Sequence, residues 1–400
     1  MYEVGAAAGA LSCFFFGDYF GRKRTTLGAA VVVLIGTALQ ATSFSLAQLI
    51  VARIVTGLGV GAFTATLPSW VGESAEAKHR GWLVMLEGSG AIFGVMSVGW
   101  IELGFYFVPG NNEVSWRFPI ALQAIFPIFV LCVAPYLPES PRWLLAKERH
   151  AEGRKVLARL ENENEDSEVV TARMQVIQNS IYIERQGHTR NPFASTPNRY
   201  LNRTLLAIAV NVSVLNLSER DRSLTIRQIL AQMSGVNVIT FYSNTIFEQD
   251  LGYGHVLSRI ISACLQTWQF IAATSAVFLI DRFGRRRLLL VAACLMAVAN
   301  AGLAGLQSDA SNKTAAGCSL IFYFLALAAF PIGLFLIPFM YASEIAPLRV
   351  RSQITAMSSA MNWLFNFLVA EVTPVAFDQI GWKYYLVSSA LALTWQRVVF

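Results

Sequence analysis

Nine stretches of this chain are almost uninterrupted apolar sequence: Val4–Phe20, Leu27–Phe44, Leu46–Trp70, Leu83–Val108, Phe118–Leu137, Val256–Ile280, Leu288–Leu306, Cys318–Ser343 and Ile354–Val375. A helix needs roughly 20 mostly apolar residues to cross the hydrocarbon core of a bilayer, and these stretches have that length or nearly so. None alternates polar and apolar residues, which excludes a membrane barrel. Composition agrees, with 55% hydrophobic and 14% charged residues, where soluble chains carry about a quarter charged. The chain reads as a helical, multi-pass integral membrane protein.

Its net charge of +6 and pI near 9.1 do not point to nucleic acid, because the cations sit in alternate loops. Arg22, Lys23 and Arg24 follow the first stretch, and Lys78 and Arg80 follow the third. The polar segment 142–203 follows the fifth, then come Arg282 with Arg285–Arg287, and Arg349 with Arg351. The intervening loops 45–47, 109–116, 247–255 and 307–316 are nearly free of Lys and Arg. By the positive-inside rule the basic loops face the cytoplasm and Met1 lies outside. The first residues carry no signal-peptide pattern. Cysteines 13, 132, 264, 294 and 318 lack metal-ligand spacing and read as small apolar residues in helix packing. The histidines 79, 150, 188 and 255 are scattered. No metal, cofactor or enzymatic activity is expected.

Two charged signatures occur twice. Asp18-Tyr19-Phe20-Gly21-Arg22-Lys23-Arg24 matches Asp281-Arg282-Phe283-Gly284-Arg285-Arg286-Arg287, and Glu73 stands to Arg80 as Glu344 stands to Arg351. Parallel repeats of this kind mark transporters made of two similar helical bundles with a site near the midplane. Two apolar segments precede Asp281 but only one precedes Asp18, so the repeat implies an absent first helix. The counterpart of Phe118–Leu137 begins near Trp382 and is cut short by Gln396 and Arg397, which implies an incomplete last helix. Eleven segments of an expected twelve result. Residues 211–227 interrupt another segment with Glu219, Arg220, Asp221, Arg222 and Arg227. A charge at the centre of a spanning helix costs roughly 2.5–3.5 kcal/mol. Joining Val210 to Gln228 would restore a continuous helix, so 211–227 is expected to be translated non-coding sequence or a similar insertion; a short amphipathic loop is the alternative. Transcripts are expected to include a species lacking this segment, and a message that always retains it would refute the insertion.

These signatures resemble the sugar-porter branch of the major facilitator superfamily, with fungal members most similar. The resemblance rests on the two Asp-x-x-Gly-Arg loops and on Arg53, Gly57, Gly59 and Gly61 followed by Pro68, Glu73, Lys78, Arg80 and Gly81. It extends to Pro138-Glu139-Ser140-Pro141-Arg142, to Gln232, Gly235, Asn237 and Tyr242, and to Asn362, Trp363 and Asn366. It implies an all-α membrane protein with two pseudo-symmetric bundles: 1–137 with five of six helices, a cytoplasmic linker 138–203 with short helices, and 204–400. It also implies transport of a hexose or related carbohydrate by alternating access, as a monomer, by facilitated diffusion or with protons. The plasma membrane is the expected location. A transport-inactive sugar sensor and a non-functional fragment are the alternatives.

Arg22, Arg80, Arg142, Arg285 and Arg351 can pair with Asp18, Glu73, Glu139, Asp281 and Glu344 on the cytoplasmic side. Partly solvated pairs would form a conformational latch, since topology alone needs no acidic partners. Glycines 57, 59 and 61 are expected to admit close helix packing. A sugar offers hydroxyls that donate and accept, on a small apolar body. Amides at Gln232, Asn237, Asn362 and Asn366 and aromatics at Phe241, Tyr242, Phe339 and Trp363 would suit it. Interhelical bonding and plain packing are the competing readings. The chain departs from the resemblance at Gly88, Ala231, Phe335, Leu336 and Phe339, so hexose specificity does not carry over directly. Glu87 is an acid inside an apolar run, suited to accepting hydroxyl hydrogen bonds or carrying a proton; reaching water or Arg80 at the inner helix end is its alternative.

Overall fold

The computed structural model describes residues 1–75, 80–108, 112–186, 236–308, 313–335, 337 and 351–390. Every regular element among these residues is helical. In chain order they are α1 (Tyr2–Phe20), α2 (Arg22–Ala41), α3 (Leu46–Ser74), α4 (Arg80–Tyr106), α5 (Asn112–Leu122), α6 (Ile125–Val133), α7 (Pro141–Ala146), α8 (His150–Glu161) and α9 (Glu168–Gln186). The second half contributes α10 (Val236–Thr245), α11 (His255–Phe283), α12 (Arg285–Leu306), α13 (Lys313–Ala329) and α14 (Arg351–Ile380), then a helical stretch at 383–390. The interruption proposed at 211–227 lies outside the described residues.

Eight helices among the described residues are long and apolar enough to cross a bilayer. The α1 helix is not among them, because Glu3, Asp18 and Gly5, Gly9 and Gly17 dilute its apolar side chains. The stretch Phe118–Leu137 is not one uniform helix. It turns at Gln123 and Ala124 between α5 and α6. Pro119 and Pro127 lie on either side, and Pro127 has no N–H to offer the carbonyl of Gln123. At Phe330–Leu334 the helical turn widens around Pro331, with Phe335 N–H donating to the Phe330 carbonyl at 3.1 Å. Of the cysteines only Cys13 is packed inside; Cys132, Cys264, Cys294 and Cys318 are exposed. Exposed positions on membrane-length helices suit a small apolar side chain as well as interior ones do, so the expectation of helix packing is corrected for these four.

The chain forms two compact units. One comprises Met1–Arg80, Ile120–Ile208 and Tyr341–Trp363; the other comprises Gly81–Pro119, Ala209–Met340 and Leu364–Phe400. Neither is a half of the sequence repeat.

In the first unit α1 and α2 both lie against α3. Lipid tails are as apolar as leucine, so helices in a bilayer associate by close backbone approach at small residues. Gly57 and Gly61 share one face of α3 and abut the backbone of Tyr2 and Ala6 on α1, while Gly5 and Gly9 abut Ile54 and Leu58. Gly59 points the other way, where a Cβ would lie 2.7 Å from the Ala29 carbonyl oxygen of α2. The glycines expected to admit close packing therefore do so on two sides of one helix. The linker helices α7, α8 and α9 enclose their own small core of Leu145, Leu157, Ala158, Val170 and Met174. Arg173 of α9 pairs with Glu161 and donates to the Ala75 carbonyl at the end of α3.

In the second unit α12 packs on α13, with α11 alongside. Fully buried Tyr323 and Tyr385 share a hydroxyl hydrogen bond of 2.9 Å, and Gln307 donates to Tyr323 Oη. The two buried tyrosine hydroxyls thus find partners, as an apolar interior requires. Gly61→Val is expected to destabilise the protein by about 3 kcal/mol or more, the upper range for overpacking, because its new atoms would meet backbone. Melting of the purified variant in detergent reads this, and an unchanged midpoint would contradict the packing.

Candidate transport site and cytoplasmic charge cluster

The α1–α2 junction begins with a glycine that the repeat predicts. Gly21 has φ 87° and ψ 173°, and its counterpart Gly284 has φ 79° and ψ 160°. This region is essentially reserved for glycine, so the two loops share a backbone conformation as well as a sequence. The turn aims the N-terminus of α2 at Glu139. That carboxylate accepts hydrogen bonds from the backbone N–H of Arg22 at 3.0 Å, of Lys23 at 3.1 Å and of Ser140 at 2.9 Å. It satisfies amides that a helix start leaves unpaired and meets the positive end of the helix dipole.

The Arg22 guanidinium turns back beneath this cap. It bonds Asp18 at 2.9 Å and Glu73 through both Nε and Nη2 at 3.3 Å, and it also reaches the Gly17 carbonyl. Ser140 Oγ donates to Glu73 Oε2 at 2.6 Å, and Trp143 Nε1 donates to the Asp18 carbonyl at 2.9 Å. Trp70 Nε1 donates to the Pro138 carbonyl, joining α3 to the same segment. Helices α1, α2, α3 and α7 thus meet at one cation. The pairs were expected to be partly solvated, and Asp18 is, at 32% side-chain exposure. The Arg22–Glu73 pair is drier, at 8% and 4%, because α7 packs on α3 and places Ser140 over Glu73. Exposed ion pairs contribute about 0–1 kcal/mol, whereas removing one partner of a buried pair costs about 3–5 kcal/mol. This pair belongs to the second class. Ser140 and Trp143 were not singled out from sequence as members of the cluster, although Ser140 stands inside the recognised Pro-Glu-Ser-Pro-Arg motif.

Arg142 is partly buried and partnered, and Asp281 is exposed. Arg80, Arg285 and Arg351 begin α4, α12 and α14; their side chains lie outside the described residues, as do those of Asn237 and Phe241 on α10. Gln232, Phe339 and Glu344 are wholly outside them.

Among residues expected to touch a sugar, Trp363 in the first unit donates from Nε1 to Thr64 Oγ1 at 3.1 Å. The Tyr2 ring meets its indole edge-on at 5.8 Å. Ser359 reaches the Thr64 carbonyl from the same helix, so α14 docks on α3 through Thr64, a residue with no sequence signal of its own. Asn362 is buried and partnered. In the second unit Tyr242 donates to the Ala370 carbonyl at 3.1 Å. By contrast Glu87 Oε2 and Asn366 Oδ1 are buried and have no hydrogen-bond partner among the described residues.

Two residues beyond Glu87, a seam between α4 and α11 begins. Ser89 and Thr274 hydroxyls lie 3.1 Å apart, Phe93 meets Phe270 at 5.4 Å, and Trp100 Nε1 donates to Thr267 Oγ1 at 2.8 Å. The paired numbers rise along α4 as they fall towards the start of α11, which is the register of two antiparallel helices. Serine and threonine on apolar helices gave no period that would reveal this seam in advance.

Eight apolar helices of membrane length among the described residues define a multi-pass helical membrane protein. A family described as "Sugar (and other) transporter" matches residues 1–400, and the chain belongs to that family. It is 34% identical to the MFS-type transporter oryC of Aspergillus oryzae, over 97% of this chain and 70% of the relative. It is 32% identical to the sugar transporter STL1 of Saccharomyces cerevisiae, over 100% of this chain and 68% of the relative. Among solved structures, the proton:xylose symporter XylE bound to 6-bromo-6-deoxy-D-glucose superposes with a TM-score of 0.84 at 21% identity, covering 99% of this chain and 83% of that one. That likeness establishes the major-facilitator fold. Membership in this family also makes the chain a transporter and not an enzyme.

Gly21→Ala and Gly284→Ala both force alanine into the glycine-only region, worth about 1–3 kcal/mol each. At Gly21 the added Cβ would also lie 2.7 Å from Glu139 Oε2, whereas at Gly284 no atom of the described residues lies within 4 Å. Gly21→Ala is therefore expected to lower the melting midpoint more than Gly284→Ala. Equal losses would show that Glu139 moves freely away.

Proposed function

We propose that the chain carries a sugar or related polyol across the plasma membrane by alternating access, acting as a monomer by facilitated diffusion or proton symport. Support for a sugar comes from family membership and from relatives named as a sugar transporter, low-affinity glucose transporters and a high-affinity fructose transporter. The observation that carries the reading to particular residues is that two of the expected ligands, Glu87 and Asn366, each keep a buried oxygen without a partner among the described residues. A buried polar group without a partner is destabilising by about 1–3 kcal/mol. A hydroxyl-rich solute supplies the missing donors. Gln232, Asn237, Asn362, Phe241, Tyr242, Phe339 and Trp363 complete the proposed lining.

The Arg22 cluster is the inner latch of this cycle. Arg80, Arg142, Arg285 and Arg351 extend it, with Asp281 and Glu344 as acids of the second half. A ligand shifts a conformational equilibrium only by its differential affinity for the two states, so a latch worth a few kcal/mol is of the right size to be overcome.

Uptake of labelled glucose by a transporter-null yeast expressing the chain tests the reading, and saturable uptake inhibited by unlabelled sugar is the expected result. Glu87→Gln keeps the shape of the side chain and removes its titratable proton. Under proton symport it is expected to lower concentrative uptake about tenfold, equivalent to about 1.4 kcal/mol, while leaving exchange of sugar across the membrane intact. Unchanged accumulation in the variant would remove Glu87 from the coupling role.

A further inference from the structure

At the far end of the α4–α11 seam from Glu87 lies a second polar cluster. Gly99, Glu102 and Leu103 of α4, Asn244 of α10, and Arg259, Ser262, Ala263 and Gln266 of α11 line a cavity of about 20 Å³. One water needs roughly 10–15 Å³ on this measure, so the cavity fits a single oxygen-sized group. Four polar atoms of these lining residues are buried with no hydrogen-bond partner among the described residues: Asn244 Oδ1, Arg259 Nε, Ser262 Oγ and Gln266 Oε1. All belong to helices of one compact unit. The Arg259 guanidinium is held in place on Tyr106, 4.5 Å from the ring centroid. Gly99 matters here because a Cβ at that position would run into Gln266 Oε1; glycine lets the amide lie against α4.

Native interiors rarely leave one such atom orphaned, and four converging on one cavity of this size call for a shared partner. Two of them are amide oxygens that only accept, one is a guanidinium N–H that only donates, and the serine hydroxyl does either. The occupant must therefore both donate and accept. A bare cation would face Arg259 and an anion would face Glu102. We propose that this cavity is a binding site for one hydroxyl-type oxygen, supplied either by a resident water or by a hydroxyl of the transported polyol. Only the second source rests on the function proposed above.

The sign of a stability change tests the site without any sugar. If the cavity were dry, Gln266→Leu would delete an unsatisfied buried group and leave stability unchanged or raised. If an oxygen is bound there, the same change strips away one of its acceptors and exposes the remaining groups, so the melting midpoint falls. A drop of about 2–4 °C, the shift typical of a single lost interaction, is expected for the purified chain in detergent. Ser262→Ala, a smaller change at the same cavity, is expected to lower it too and decides the matter if Gln266→Leu fails to fold. An unchanged or raised midpoint in Ser262→Ala overturns the site.

The source is read by binding glucose and its monodeoxy analogues to parent and variant. A polyol hydroxyl in the cavity gives one analogue that binds about tenfold more weakly to the parent and loses that penalty in the variant. Resident water gives equal penalties in both, with the midpoint still lowered. Failure of every sugar to bind would count against the proposed function and leave the melting result standing.

Discussion

A backbone inside a bilayer has no water to bond, so every N–H and C=O must be satisfied by the chain itself. That requirement makes the described elements helical before any side chain is considered. It also changes the meaning of polar residues. In a soluble protein a serine or asparagine on a helix is ordinary; here each one has to be explained by a partner. Thr64 takes Trp363, Thr267 takes Trp100, Tyr323 takes Gln307 and Tyr385. The orphans among the described residues are therefore informative, and four of them belong to residues lining one small cavity between α4, α10 and α11.

The same requirement governs packing. Helices that gain nothing by hiding leucine from lipid must approach backbone to backbone, and α3 does so on two faces through Gly57, Gly59 and Gly61. The charged end of that helix then becomes a fixed platform. Glu73 stands on it, Arg22 reaches it from the loop that Gly21 turns, and Glu139 closes the start of α2. The order of dependence runs from small residues, to close helices, to a dry ion pair. An Arg22–Glu73 pair on loosely packed helices would be hydrated and of little energetic consequence.

The helices were largely legible in the sequence because apolar length and basic loops report on the membrane directly. The repeat was legible too, and Gly21 and Gly284 carry it into matching backbone angles. Three things were not. The turn at Gln123 and Ala124 falls between two prolines within an otherwise apolar stretch. The dryness of Arg22 and Glu73 depends on α7, whose contacts are set by tertiary packing and not by local pattern. The α4–α11 seam depends on Ser89, Trp100, Thr267 and Thr274, common residue types whose role appears only when two helices are aligned. Glu87 and Asn366 were recognisable as polar intruders, yet the lack of partners that separates them from Trp363 and Tyr242 is a property of three-dimensional arrangement.

That separation sharpens how a site in such a protein should be recognised. Residue type alone groups Trp363, Tyr242, Asn362, Asn366 and Glu87 together. Hydrogen-bond accounting divides them. Trp363 and Tyr242 already donate to Thr64 and Ala370, so a ligand contacting them would find chiefly their ring faces. Glu87 and Asn366 retain unmatched acceptors, and acceptors of that kind attract hydroxyl hydrogens. The two classes are complementary, because a sugar presents apolar C–H faces and hydroxyl edges on one small body. Aromatics with their polar atoms tied back and oxygens left unpaired are the two surfaces such a body needs.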